Sequence, residues 1–165
     1  MYYNCGVTWG NVVNQKQTRV GIYGEYHHTL DEKNRLFIPA RLREIFKKEG
    51  KLVLSRGLDR CLFLFPHSEW QSLEDKAKSL PITDRDARDF TRYLFSGVSV
   101  TSVDAQGRIP LPSHLKSYAQ INKNVVIIGV STRAEIWAEE RWERYLQQTE
   151  EKVDEIASKL EEFGI

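Results

Sequence analysis

The sequence predicts an α+β fold, a pseudo-symmetric body built from two tandem repeats with helices between them and a helix at the end. Three observations lead there. The phrase Asp31-Glu-Lys-Asn-Arg35, Leu36-Phe-Ile-Pro39 returns 73 residues later as Asp104-Ala-Gln-Gly-Arg108, Ile109-Pro-Leu-Pro112. At the same offset Arg60 falls on Arg133 and Phe63 on Ile136, and after a single dropped residue Trp70 falls on Trp142. Within each copy, short β-rich runs give way to apolar residues at helical spacing. Finally, Trp142, Leu146, Thr149, Val153, Ile156, Leu160 and Phe163 alternate spacings of four and three, a heptad seam.

Each element follows from local chemistry. Residues 1–21 show neither helical nor strand periodicity and have no counterpart in the second copy, so they are expected to be a leader without regular structure. The first repeat is placed at 22–75. Leu30 before the acid and Leu36-Phe37-Ile38 after the arginine flank a three-residue loop, which wants a left-handed residue at its end. Gly107 supplies it in the second copy, and Asn34, which tolerates positive φ, in the first. Across such a loop Asp and Arg become cross-strand neighbours close enough to pair. Pro39 and Pro112 suit the first turn of a helix, where no amide donor is needed. Leu42, Ile45 and Phe46 then mark the apolar face of one short helix, stopped by Gly50; Leu115, Tyr118 and Ala119 mark the other.

Leu52-Val-Leu54 and Cys61-Leu-Phe-Leu-Phe65 predict a second hairpin, with Cys61 as core filler rather than a nucleophile. From Ser68 the spacing of Trp70, Leu73, Ala77 and Leu80 predicts a helix ended by Pro81. A further helix is expected from Thr83, capped with Asp86 three residues on, and buried through Ala87, Phe90 and Leu94. Connecting helices are assigned to 76–96 and the second repeat to 97–137. That repeat contains the strand Val98–Val103 and the pair Val125–Ile128 and Ala134–Trp137. The terminal helix is assigned to 138–165, its later half fraying or meeting another subunit.

Two cysteines in unlike contexts, no C-x-x-C and no His/Cys cluster point to no metal site or cofactor. His27-His28 is read as exposed strand residues. The chain has no apolar run long enough for a bilayer, which makes a cytoplasmic address the expectation. It has no nucleophile elbow, phosphate-binding glycine loop or dinucleotide fingerprint, so an enzyme is not expected. Net charge is +1, yet residues 1–60 hold 11 basic against 6 acidic residues, and residues 139–165 hold 4 against 9. One end is therefore suited to phosphate and the other is not.

The stretch Gly24-Glu-Tyr-His-His-Thr-Leu-Asp-Glu-Lys-Asn-Arg-Leu-Phe-Ile-Pro-Ala-Arg-Leu-Arg43 resembles the opening of the MraZ family of bacterial transcriptional regulators. Ser55-Arg-Gly-Leu-Asp-Arg-Cys-Leu-Phe-Leu-Phe-Pro66, Asp84-Arg-Asp-Ala-Arg88, Leu94-Phe-Ser-Gly97 and Asp104–Arg108 continue the resemblance in order. Asn34 departs from the glycine usual in that family. The resemblance implies an AbrB-like swapped-hairpin β-barrel, ring-shaped homo-oligomers and double-stranded promoter DNA as partner, with no small-molecule ligand and no membrane. It implies a regulator at the nucleoid that binds short G-rich direct repeats upstream of the division and cell-wall gene cluster containing its own gene. The DNA-binding residues it implies are Asp31, Lys33, Asn34, Arg35, Asp104 and Arg108.

The chemistry of those residues agrees. An arginine can donate a bidentate pair to guanine O6 and N7, while lysines hold phosphate and set the register. Arg108 is the weaker candidate, because Gln106 stands where the first loop has Lys33. The rival from another class is a protein-interaction module, an antidote-like partner whose terminal helix grips another protein.

Overall fold

The computed structural model describes residues 21–164, so the leader expected at 1–21 lies, but for Gly21, outside the described residues. The first repeat contributes β1 (Ile22–Thr29), β2 (Arg35–Phe37), α1 (Ala40–Glu49), β3 (Leu52–Arg56) and β4 (Leu62–Pro66). Helices α2 (His67–Lys78) and α3 (Arg85–Ser96) follow. The second repeat gives β5 (Ser99–Thr101), β6 (Arg108–Pro110), α4 (Ser113–Tyr118), β7 (Asn124–Ser131) and β8 (Ala134–Ala138). The chain continues into α5 (Glu139–Glu150), α6 (Val153–Leu160) and a 3-10 turn over Glu161–Phe163.

The strand pairing exchanges elements between the repeats. β1 pairs along its whole length with β7 of the second repeat, from Ile22 with Ser131 to Thr29 with Asn124. Reciprocally, β5 pairs with β3 of the first repeat. β4 pairs with β8 at the junction, and all these ladders are antiparallel. The result is a six-stranded sheet in the order β1-β7-β8-β4-β3-β5 and a separate two-stranded sheet of β2 and β6. The first sheet is open at β1 and β5, so the ladders do not draw the closed barrel expected from the resemblance.

Strand alternation explains the layers, because successive side chains point to opposite faces. Leu52 and Leu54 join Leu62, Leu64, Ile127 and Ile136 in a core to which β2, β6, α1 and α4 add Leu36, Ile109, Phe46 and Leu115. On the outer face Val53 and Phe65 meet Trp70 and Ala77 of α2 and Leu94 of α3. Over the second repeat, Cys61, Val126 and Trp137 meet Trp142 of α5. Burial, then the nearby Glu135 carboxylate, pushes the Cys61 thiol well up, which keeps it protonated packing.

Several expectations shift. Pro39 and Pro112 stand one residue outside their helices, with extended ψ of 139° and 141°. α3 is capped by Asp84, not Thr83: its carboxylate accepts from the Ala87 amide at 2.8 Å. Phe90 is exposed, while Leu94 alone of the expected trio is fully buried. The second repeat's first strand is only Ser99–Thr101. The terminal seam is two helices, interrupted at Glu151 and Lys152.

Candidate nucleic-acid interface

Both repeated loops form the same turn. The Asp31 amide donates to Arg35 O at 3.0 Å and the Asn34 amide returns to Asp31 O at 2.9 Å. In the second copy the Asp104 amide donates to Arg108 O at 2.8 Å and the Gly107 amide to Asp104 O at 3.0 Å. Asn34 and Gly107 both have positive φ, 54° and 85°, as the loop length requires.

The aspartates organise each loop from inside. Asp31 Oδ1 accepts from the Lys33 and Arg35 amides at 2.9 Å each, while Oδ2 accepts from Arg35 Nε at 2.7 Å. Asp104 Oδ1 accepts from the Gln106 and Arg108 amides at 2.9 Å, and Oδ2 from Arg108 Nε at 3.1 Å and Nη2 at 3.0 Å. The Arg35 amide, ahead of its guanidinium and the Lys33 amide, holds the Asp31 carboxyl below its ordinary range against the opposing effect of desolvation. The Arg108 amide, ahead of its guanidinium, does the same for Asp104.

The two loops abut. β2 and β6 pair Arg35 with Pro110, Leu36 with Ile109 and Phe37 with Arg108. Beyond the strands the Ile38 amide donates to Gly107 O and the Leu111 amide to Asn34 O, both at 2.9 Å. Arg108 Nη1 also lies 3.5 Å from Asp31 Oδ2, linking one loop to the other. The tips are side by side, with Glu32, Lys33, Asn34, Ala105 and Gln106 exposed.

The arginines are not equivalent. The hydrogen bond described for the Arg35 side chain uses Nε, which holds the guanidinium against Asp31 through that one nitrogen. Arg108 divides its guanidinium among Asp104, Asp31 and the Gln106 side chain. Its side chain is 20% exposed against 30% for Arg35.

Sequence reasoning missed a second pair at the same offset, Arg43 and Lys116. Arg43 of α1 donates from Nε and Nη2 to Ile38 O at 3.3 and 3.1 Å and lies 4.6 Å over the Phe37 ring. It sits against Gly107 of the other loop. Lys116 of α4 donates from Nζ to Asn34 Oδ1 at 2.6 Å. Each short helix thus lays one cation on the opposite repeat's loop; the shared basic character at one repeat position was the available signal. His27, read as a strand residue, bridges Glu25 at 3.1 Å and Glu139 of α5 at 3.0 Å. The Glu139 bond, then the Glu25 bond, raises its pKa. Among the described residues no group of three or more His, Cys, Asp or Glu side chains could hold a metal ion, and no helix is long and apolar enough to cross a membrane.

The interleaved ladders and paired loops define a tandem-repeat α+β protein with one polar, cation-bearing edge made jointly by its halves. The family model for the MraZ protein, described as antitoxin-like, matches residues 22–93 and again 94–163, and the chain belongs to the MraZ family. It is 49% identical over 142 residues to a protein of Moorella thermoacetica, covering 86% of this chain and 98% of that one. A protein of Caldanaerobacter subterraneus subsp. tengcongensis is 49% identical over 144 residues, 87% and 99% of the two chains. One of Carboxydothermus hydrogenoformans is 49% identical over 140 residues, 85% and 96%. All three relatives bear the name transcriptional regulator MraZ.

Proposed function

We propose that this chain is a sequence-specific, DNA-binding transcriptional regulator without a catalytic role. Its targets are short G-rich direct repeats upstream of a division and cell-wall gene cluster that includes its own gene. It acts in the cytoplasm at the nucleoid, as a ring-shaped homo-oligomer with a swapped-hairpin body and no cofactor. The loops 31–35 and 104–108 form the DNA face. Arg35 reads guanine, Lys33 and Asn34 hold and orient the backbone, and Asp31 and Asp104 fix the loops. Arg108 stands beside Arg35 in the face and ties the two loops together.

The observation that carries this reading is the placement of the two loops edge to edge, with the Arg35 guanidinium held by Asp31. A guanidinium fixed at Nε retains two parallel donors, the geometry that matches guanine O6 and N7. One such contact discriminates by about 1–3 kcal/mol, roughly 5- to 150-fold. Several loops on several repeats raise the total through effective concentration, which allows specific binding by a subunit of net charge +1.

Fluorescence anisotropy on duplex DNA from upstream of the chain's own gene tests the reading. Arg35→Ala should lose the preference for that DNA over a scrambled duplex while oligomer mass and melting stay near the wild type. An undiminished preference in Arg35→Ala would reject it.

A further inference from the structure

The turn residues of the two loops differ, and so do the cations laid on them. Gly107 has no side chain, and the room beside it is taken by Arg43, whose Cζ would stand 2.6 Å from an added Cβ. Arg43 gives its donors to Ile38 O and lies over the Phe37 ring. The second loop therefore offers only backbone at its turn residue. At the matching place in the first loop stands Asn34, and the cation laid on it bonds to its side chain: Lys116 Nζ donates to Asn34 Oδ1 at 2.6 Å.

Asn34 is tied at three atoms. Its amide donates to Asp31 O at 2.9 Å, its O accepts from the Leu111 amide at 2.9 Å, and Oδ1 accepts from Lys116. An ammonium has donors and no acceptor, so it selects the oxygen of the side-chain amide over the nitrogen. The amide is thereby turned one way, with Oδ1 toward α4 and Nδ2 left over. Asn34 is exposed, and among the described residues Nδ2 meets no acceptor.

The lysine stands on an anchored helix. Leu115 and Ala119 of this segment have no exposure. The Tyr118 hydroxyl donates to Gly57 O at 2.7 Å and meets the Tyr93 hydroxyl of α3. Past the end of α4, Gln120 Oε1 accepts from Arg141 Nη1 of α5 at 3.0 Å. Lys116 itself is half-buried, so part of the rotamer freedom that an exposed lysine loses on bonding is already gone.

We propose that Lys116 is a positioning residue for DNA binding: from the second repeat it turns the Asn34 amide so that Nδ2 donates to a DNA phosphate oxygen beside the Arg35 contact. Phosphate oxygens accept and do not donate, so an amide turned the other way would set oxygen against oxygen. The two residues form a matched pair. Glycine at 34 would leave the lysine without its partner, and a side chain at 107 would meet Arg43. The first loop thus gains a backbone contact that the second cannot make, and the two loops of one chain grip DNA unequally. The inference rests on the DNA reading above and deepens it.

Four full-length proteins form the test: wild type, Lys116→Met, Asn34→Gly and the double variant. Anisotropy is read on duplex DNA from upstream of the chain's own gene at several salt concentrations, with melting as the check on folding. Lys116→Met should weaken binding about 10-fold in the wild type but only about 2- to 3-fold beside Asn34→Gly, a coupling of about 3- to 5-fold. A lysine that met phosphate only on its own account would cost the same in both backgrounds and lower the salt slope by about 1, and that result would overturn the proposal. So would a Lys116→Met protein that binds like the wild type. A second readout needs no DNA. The Asn34 side-chain amide, assigned in nitrogen-15 NMR by its absence from Asn34→Gly, should be motionally restricted in the wild type and freed in Lys116→Met. Equal mobility in the two proteins would also overturn the proposal. Should Lys116→Met melt early, Lys116→Ala takes its place. A wild type with no preference for the duplex sinks the DNA reading and the proposal together. A preference that Arg35→Ala abolishes, with an additive cycle, sinks the proposal alone.

Discussion

Replacing Gly107 by alanine tests the loop geometry at its tightest point. Gly107 has φ of 85°, and an added Cβ would lie 2.6 Å from Arg43 Cζ and 2.7 Å from Nε. Left-handed backbone costs an alanine about 1–2 kcal/mol. The clash is with the end of a long side chain, which can move, but moving it gives up the bonds from Arg43 to Ile38 O and its place over Phe37. Those contribute about 0.5–1.5 kcal/mol and 0.5–1 kcal/mol in such settings. The sum is about 2–4.5 kcal/mol, a fall in melting temperature of roughly 4–18 °C for a domain of this size. Differential scanning calorimetry measures it. Arg43→Ala should recover part of the loss when combined with Gly107→Ala, since it removes the displaced group, so the two changes should be non-additive. By contrast Asn34→Gly should leave melting nearly unchanged, because glycine accepts a φ of 54° freely and gives up only the exposed contact with Lys116. A Gly107→Ala protein that melts within about 1 °C of the wild type would refute the left-handed, Arg43-covered loop.

Other expectations follow from the same geometry. Leu36→Ala removes a side chain with no exposure from the two-stranded sheet and should destabilise by about 2–5 kcal/mol in chemical denaturation, well beyond Phe37→Ala next to it, whose ring is exposed. Arg108→Ala removes bonds to both aspartates, so anisotropy should show weaker binding to specific and scrambled DNA alike, with the preference between them retained. Asp31 and Asp104 have folded pKa values held down, so their contribution to stability is present above the ordinary carboxylate range near 4 and is lost only as pH falls through the lowered values. Carboxyl carbon shifts followed by NMR should titrate below about 3.9 for both, and a midpoint at or above that would contradict the hydrogen-bonded loops. For His27 the sign reverses: its contribution is present below about 6.5 and is lost as pH rises through a raised folded value, so the imidazole should titrate above 6.5 in wild type and less so in Glu139→Gln.

Much of the loop was legible in the sequence because its chemistry is local. The spacing of Asp31 and Arg35 fixes a three-residue turn, and Asn34 and Gly107 announce positive φ whatever surrounds them. The apolar faces of α1 and α4 followed from periodicity for the same reason. What the sequence does not carry is which repeat each strand pairs with. β1 on β7 and β5 on β3 are long-range choices, and so the reach of Arg108 to Asp31 and of Lys116 to Asn34 lay beyond a linear reading. The terminal seam kept its spacing through Glu151 and Lys152, yet these two polar residues are exposed and the helix breaks there. Phe90 looked like core by its spacing, but it is exposed and stands outside the cluster that α3 joins through Leu94 and Phe95.

The central claim is that the paired loops offer a fixed arginine to guanine edges. Dimethyl sulfate probing of guanine N7 on the direct-repeat DNA, run with wild type and Arg35→Ala at equal occupancy, addresses it most directly. The wild type should protect guanines within the repeats, and Arg35→Ala should lose that protection while hydroxyl-radical protection of the backbone remains. Guanines that stay reactive under the wild type, or stay protected under Arg35→Ala, would contradict the account.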